Sequence, residues 1–193
     1  MRLTKKEQQI ASIEGYAAIF NTPDLAGDIL APECFGEFFV KKFIPPSKIR
    51  PMMLYQHKVD CPIGRWTKLS VDKVGLFVQG EILLESASAF DVYNLISGGA
   101  IDGLSIGFRA LKSRKNKRAQ RIISSVDLWE ISVVSFPMAP LARISHVSAP
   151  QILKDPERTG LVSAQPARRA SFPPSGARHF VEALKGAADI MSQ

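Results

Sequence analysis

Apolar and polar side chains alternate from Leu76 to Leu83: Leu76, Val78, Gly80 and Ile82 fall on one side of an extended chain, Phe77, Gln79, Glu81 and Leu83 on the other. A period of two marks a half-buried strand. The segment 63–70 reads as its hairpin partner, pivoting on Val71-Asp72-Lys73-Val74-Gly75. Strand-like runs over 104–111 and 121–135 flank Lys112 to Gln120, a stretch too charged to bury and turn-like at Asn116. They predict a second hairpin with a basic loop. Mixed β-branched and aromatic residues over 10–20 predict a first strand that stops at Asn21-Thr22-Pro23-Asp24, and Met52 to His57 is a short apolar run ending in histidine.

Helical spacing is scarcer. Phe35, Phe38, Phe39 and Phe43 recur at that spacing between Pro32-Glu33 and Pro45-Pro46, which predicts a short helix with an aromatic face. Ser88-x-x-Asp91 resembles a capping box; Phe90, Tyr93 and Ile96 or Leu95 then make one face, and Gly98-Gly99 end the helix. From 148 to 178 the chain is rich in Ser, Ala, Pro and Arg with little periodicity, predicting a mobile linker, and Phe180, Val181, Leu184 and Ala188 suggest a short terminal helix over 177–191. The expected fold is mainly β (α+β): a compact antiparallel, barrel-like core with two or three flanking helices over 1–147, then a tail over 148–193.

Composition narrows the class. A chain of 193 residues with 46% hydrophobic and 22% charged residues is globular in balance. A net charge of +7 and a pI near 9.6 suggest an acidic partner, nucleic acid or protein, or else a solvated basic surface. Cys34 and Cys61 match neither a metal pair nor a disulfide framework and read as ordinary buried thiols. No apolar run approaches the roughly 18–20 residues of a membrane span, and the first residues lack a signal peptide's apolar stretch. A cytosolic protein without a membrane role is expected.

Three segments carry candidate chemistry. In Gly-Leu-Ser-Ile-Gly-Phe-Arg (103–109), Ser105, Gly107 and Arg109 share the face opposite Leu104, Ile106 and Phe108. Gly107 removes bulk beside the hydroxyl, yet spacing alone leaves Ser105 either an exposed strand serine or a nucleophile. His57 is the histidine best placed for a general base, since His146 borders the linker and His179 lies in the tail. Glu130, on the expected face of Leu128 and Ser132, is costly to bury without a partner: either His57, or one of Arg65, Arg109 and Arg143. Asp127 and Asp102 are rivals for the role of orienting the imidazole. Neither a His-Glu-x-x-His motif nor a Gly-rich phosphate loop occurs, so no metal or cofactor is expected.

In order along the chain come Gly-Tyr-Ala-Ala-Ile-Phe-Asn (15–21), Gly-Asp-Ile-Leu-Ala-Pro-Glu-Cys-Phe (27–35), and Leu-Tyr-Gln-His (54–57) with Pro-Ile-Gly-Arg-Trp (62–66). Gly-Ala-Ile-Asp-Gly-Leu-Ser-Ile-Gly-Phe-Arg (99–109), Asp-Leu-Trp-Glu-Ile-Ser-Val-Val-Ser-Phe-Pro (127–137) and Ala-Arg-Ile (142–144) follow. Together these segments resemble the caudovirus prohead proteases, phage capsid maturation enzymes similar in fold to herpesvirus assemblin. The chain departs from that pattern at Glu33-Cys34, where Gly-Ala is common, and at Ala139, where asparagine is common.

The resemblance implies a serine endopeptidase with Ser105 as nucleophile, His57 as base and Glu130 as third member, and with Arg143 or Arg109 supporting the oxyanion. It implies cleavage of scaffold, or of the scaffold-like segment of the major capsid protein, inside the assembling prohead in the host cytoplasm. Self-cleavage in 148–178, self-association and a tail that binds scaffold belong to the same expectation. The competing reading is a non-catalytic basic module that binds nucleic acid or scaffold through the six basic residues among 112–121.

Overall fold

The computed structural model describes residues 8–42 and 51–153. Nine strands and two helices follow in order: β1 (Gln8–Ile19), β2 (Asp28–Leu30), α1 (Gly36–Lys42), β3 (Met52–Tyr55), β4 (Lys58–Val71), β5 (Gly75–Leu83), α2 (Ala87–Ser97), β6 (Gly103–Lys115), β7 (Arg121–Val134), β8 (Ile144–Val147) and β9 (Gln151–Leu153). Both predicted hairpins form: β4 pairs antiparallel with β5, and β6 with β7. In β5, Leu76, Val78, Gly80 and Ile82 are buried and the alternate residues half-buried, as the alternation requires.

The barrel-like antiparallel core is corrected in two respects. The strands form one mixed sheet in the order β2-β7-β3-β4-β5-β1-β8, with β6 also on β7 and β9 on β1. Both β2 and β3 run parallel to β7. Nor do ladders close the sheet, because among the described residues β6 and the β8 side are joined only by the isolated bridge Gly103–Arg143, with Leu104 N donating to Ala142 O and Ile144 N to Asp102 O. Side-chain alternation fixes which face a residue takes and says nothing of strand direction. Parallel neighbours joined through several intervening elements leave no turn signature.

Further differences concern the ends of elements. Helix α1 starts at Gly36, after a turn that buries Phe35, and Phe38 is also buried; Phe43 and Pro45-Pro46 lie outside the described residues. On α2 the N-cap is Ser86, with no side-chain capping bond, and Ser88 shares a hydroxyl contact with it instead of heading a capping box. The buried face of α2 is Ala89, Val92 and Ile96, while Phe90 and Leu95 are exposed. Residues 151–153 pair with β1, so the sheet continues into the stretch expected to begin the linker. The terminal helix expected over 177–191 lies outside the described residues. Among the described residues no helix is long and apolar enough to cross a membrane.

The core is continuous beneath the sheet, with Phe35, Met53, Ile63, Trp66 and Ile131 fully buried. Trp66 fixes the central strand directly, because its buried Nε1 donates to the carbonyl of Ile131 at 3.2 Å. Trp66→Phe should lower stability by about 2 kcal/mol through a lost hydrogen bond and a residual void. The check is the urea midpoint at constant slope.

Candidate active site

Three neighbouring strands build the site, with β7 in the middle. On one edge, Ser105 of β6 stands opposite Ser132, and Gly107 opposite Glu130. Directly opposed residues of an antiparallel pair hold their Cβ atoms about 5 Å apart, so the Ser105 side chain neighbours that of Ser132. On the other edge β3 runs parallel, pairing Met52 with Glu130 and Leu54 with Ser132. The chain then turns sharply at Gln56 and His57 before β4.

That turn has two residues, with Tyr55 and Lys58 paired across it, and both central residues have positive φ, 54° at Gln56 and 58° at His57. Positive φ at both positions is the sign of the mirror-image hairpin turn that Asn-Gly usually supplies. A side chain there costs on the order of 1 kcal/mol, although histidine tolerates the region better than most residues. Tertiary bonds hold the strained turn. Gln56 N donates to Val133 O at 2.9 Å, Gln56 Nε2 to Ser135 Oγ at 2.7 Å, and His57 N to Ser132 Oγ at 3.2 Å.

The turn delivers the imidazole to the carboxylate of Glu130, with Nδ1 2.6 Å from Oε1. Ser132 Oγ donates to the second oxygen, Oε2, at 2.5 Å. Nδ1 being engaged, Nε2 is the ring nitrogen left to exchange a proton. The Glu130 side chain is only 13% exposed and that of His57 45%, so the carboxylate is screened from solvent while the imidazole remains accessible.

The sequence put Glu130 on the face of Leu128, and the structure corrects this. Gly107 pairs with Glu130 but Phe108 with Leu128, leaving Trp129 as the extra residue of a bulge. One inserted residue reverses the alternation. Leu128 therefore faces the core with Ile131 and Val133, while Trp129 is 56% exposed and Glu130 and Ser132 fall on the side of Ser105.

Other candidates lie apart. Asp127 accepts from Trp129 Nε1 at 2.9 Å and pairs with Arg109 at 3.6 Å; Asp102 pairs with Arg143 at 2.5 Å, and Arg65 with Glu81. Among the described residues His57 is paired with Glu130, and Glu130 with His57 and Ser132. Arg109 lies four residues from Ser105, about 13 Å along an extended strand, which separates it from the hydroxyl. Arg143 is nearer through its backbone bridge to Gly103, and its Nε donates to Pro140 O at 2.9 Å.

Burial, with the charge of Glu33 added, pushes the Cys34 thiol up to about 12. It stays protonated and is no rival nucleophile. Ser105 itself is 5% exposed, and its hydroxyl makes no hydrogen bond among the described residues. It borders a largely apolar pocket whose walls include Ala17, Ala18, Leu104, Ile106 and Met138. The basic loop is the solvent-exposed tip of the β6–β7 ribbon, ordered by Asn116, whose Oδ1 accepts from the amides of Arg118 and Gln120.

Sequence reasoning gave no role to Ser132, Gln56 or Ser135. For Ser132 a signal existed, because a hydroxyl two residues from a carboxylate on one strand shares its face.

Comparison with known proteins bears on the chemistry of this cluster. The chain is 31% identical over 150 residues to the prohead protease of Enterobacteria phage HK97, covering 75% of this chain and 64% of that protein. To the prohead protease of Escherichia phage T5 it is 28% identical over 135 residues, covering 69% and 61%. The chain thus spans less than two thirds of the length of these curated relatives. The solved bacteriophage T4 capsid assembly protease shares the fold with a TM-score of 0.50 at 9% identity, over 65% of this chain and 82% of that one. The family pattern of the caudovirus prohead serine proteases matches residues 1–154, which takes in every strand of the sheet and the whole cluster around Glu130, and the chain belongs to that family.

Proposed function

We propose that this protein is a serine endopeptidase of phage capsid maturation, with Ser105 as nucleophile, His57 as general base and Glu130 as the residue that orients it. The observation that carries the reading is the 2.6 Å contact of His57 Nδ1 with Glu130 Oε1, made on the strand neighbouring Ser105. Glu130 holds the tautomer with the proton on Nδ1 and favours the imidazolium that forms during the reaction. Nε2 takes the Ser105 proton as Oγ attacks the scissile carbonyl, and returns it to the leaving amine. Water repeats the cycle on the acyl-enzyme. Backbone amides or Arg143 stabilise the oxyanion, Arg143 being held by Asp102 and Pro140 and bridged to Gly103, two residues before the nucleophile on the same strand.

The substrates in this reading are a scaffold protein, or a scaffold-like segment of the major capsid protein, and the chain itself beyond residue 147. Cleavage takes place inside the assembling prohead in the host cytoplasm. The likeness in fold to herpesvirus assemblin is part of the same proposal, as is self-association.

An organophosphonate that phosphonylates activated serines tests the nucleophile. It is expected to add once, on the tryptic peptide containing Ser105, and the His57→Ala variant should label at least about 100-fold more slowly. Labelling of another serine, or equal labelling of the two proteins, overturns the assignment.

A further inference from the structure

The buried hydroxyl of Ser132 does more than fill space. Its hydrogen goes to Glu130 Oε2 at 2.5 Å, and its oxygen accepts from the backbone amide of His57 at 3.2 Å. Glu130 Oε1 in turn holds the His57 ring at 2.6 Å. One side chain thus ties both ends of the histidine residue, amide and imidazole, into a closed ring of bonds with the carboxylate. We propose that Ser132 is a positioning residue for the proteolytic site: it sets the rotamer of Glu130 and the turn conformation of His57 together, so that Nε2 is presented to Ser105.

This inference rests on the roles given above to Ser105, His57 and Glu130. Three structural facts support it. His57 has φ of 58°, a conformation that costs free energy and is held by its surroundings, and among the described residues its amide bonds to Ser132 alone. Glu130 follows the Trp129 bulge, where the ladder cannot by itself fix the direction of the side chain. Ser132 is fully buried opposite Ser105, with Leu54 opposite it on β3, so the hydroxyl cannot turn to water for an alternative partner. A carboxylate that lost the Oε2 bond could rotate away, carrying the imidazole with it.

The test uses the full-length protein and a quenched fluorescent peptide selected from a mixed library for turnover by wild type. Ser132→Ala is expected to lower kcat about 100-fold while leaving KM within about twofold, since a small misplacement of the base costs rate without touching peptide binding. Ser132→Thr, which keeps the hydroxyl, should recover most of kcat. A second readout does not depend on turnover. In the Ser105→Ala background the hydrogen-bonded Nδ1 proton of His57 should give a low-field NMR resonance, and adding Ser132→Ala should broaden it into exchange with water. Wild-type kcat in Ser132→Ala, a loss confined to KM, failure of threonine to rescue a folded protein, or an undisturbed resonance overturns the positioning role. If wild type shows no turnover, or Ser105→Ala keeps it, the proteolytic reading itself fails, and the resonance still decides whether Ser132 fixes His57 to Glu130.

Discussion

Ser105→Ala is expected to leave the protein at its full-length mass of 21.2 kDa when wild type has shortened itself, and to cut peptide turnover by about 10⁴-fold or more. The effect should be this large because in the proposed mechanism the hydroxyl is the atom that bonds to the substrate; neither its neighbour Ser132 nor a water held at the same place can reproduce a covalent acyl step. Folding should hardly change, since the buried Ser105 hydroxyl makes no hydrogen bond among the described residues, so that alanine leaves little unsatisfied. Intact-mass spectrometry of the two proteins expressed side by side reads self-processing and its position at once. Identical shortening in both would show that the nucleophile lies elsewhere. If neither protein cleaves, and reversing the charges of Lys115 and Lys117 abolishes salt-sensitive retention on DNA, the basic ribbon is the working part and the protein is a binding module.

Gly107→Ala is the second variant with a large expected effect, and it acts without touching a reacting group. A methyl at this position would lie 2.1 Å from Glu130 Oε1 and 2.8 Å from its carboxyl carbon. Something must move, and Glu130 can swing where the backbone cannot. The fold should therefore survive with a loss of about 1–2 kcal/mol, while the carboxylate leaves His57 and turnover falls about 10²- to 10³-fold. Thermal unfolding measured beside kcat separates the two quantities. Unchanged turnover would mean that Glu130 does not orient the base. The glycine in the segment around Ser105 thus gains a different purpose from the one its sequence suggests. Its missing side chain leaves room for the carboxylate of the neighbouring strand.

Local features were legible in the sequence. The alternation in β5, both hairpins, the turn at Asn116 and the shared face of Ser105 and Gly107 follow from rules that span a few residues. The face of α2 was only partly legible because apolar residues lie on two sides of it: Ile96 is buried and Tyr93 packs against the core, whereas Phe90 and Leu95 turned out to be in solvent. The bulge at Trp129 and the parallel pairing of β3 with β7 had no local signature at all. Bulges depend on what the partner strand can accommodate, and parallel neighbours on contacts between distant segments. For the same reason the meeting of His57 with Glu130 could be inferred only from the order of motifs along the chain, whereas the pairing of Glu130 with Ser132 was written in their spacing.

The type of turn at His57 also bears on when the site can exist. A hairpin closed by Asn-Gly takes its shape as soon as its own residues are present. This one is held by Val133, Ser135 and Ser132, the last of them 75 positions further on, and its ring is held by a carboxylate 73 positions away. Contacts of such separation form late in folding, after the entropy of closing the long intervening loop has been overcome. A chain still growing from the ribosome therefore carries a histidine with no fixed direction, and the proposed machinery for cutting would come into being only with the finished sheet.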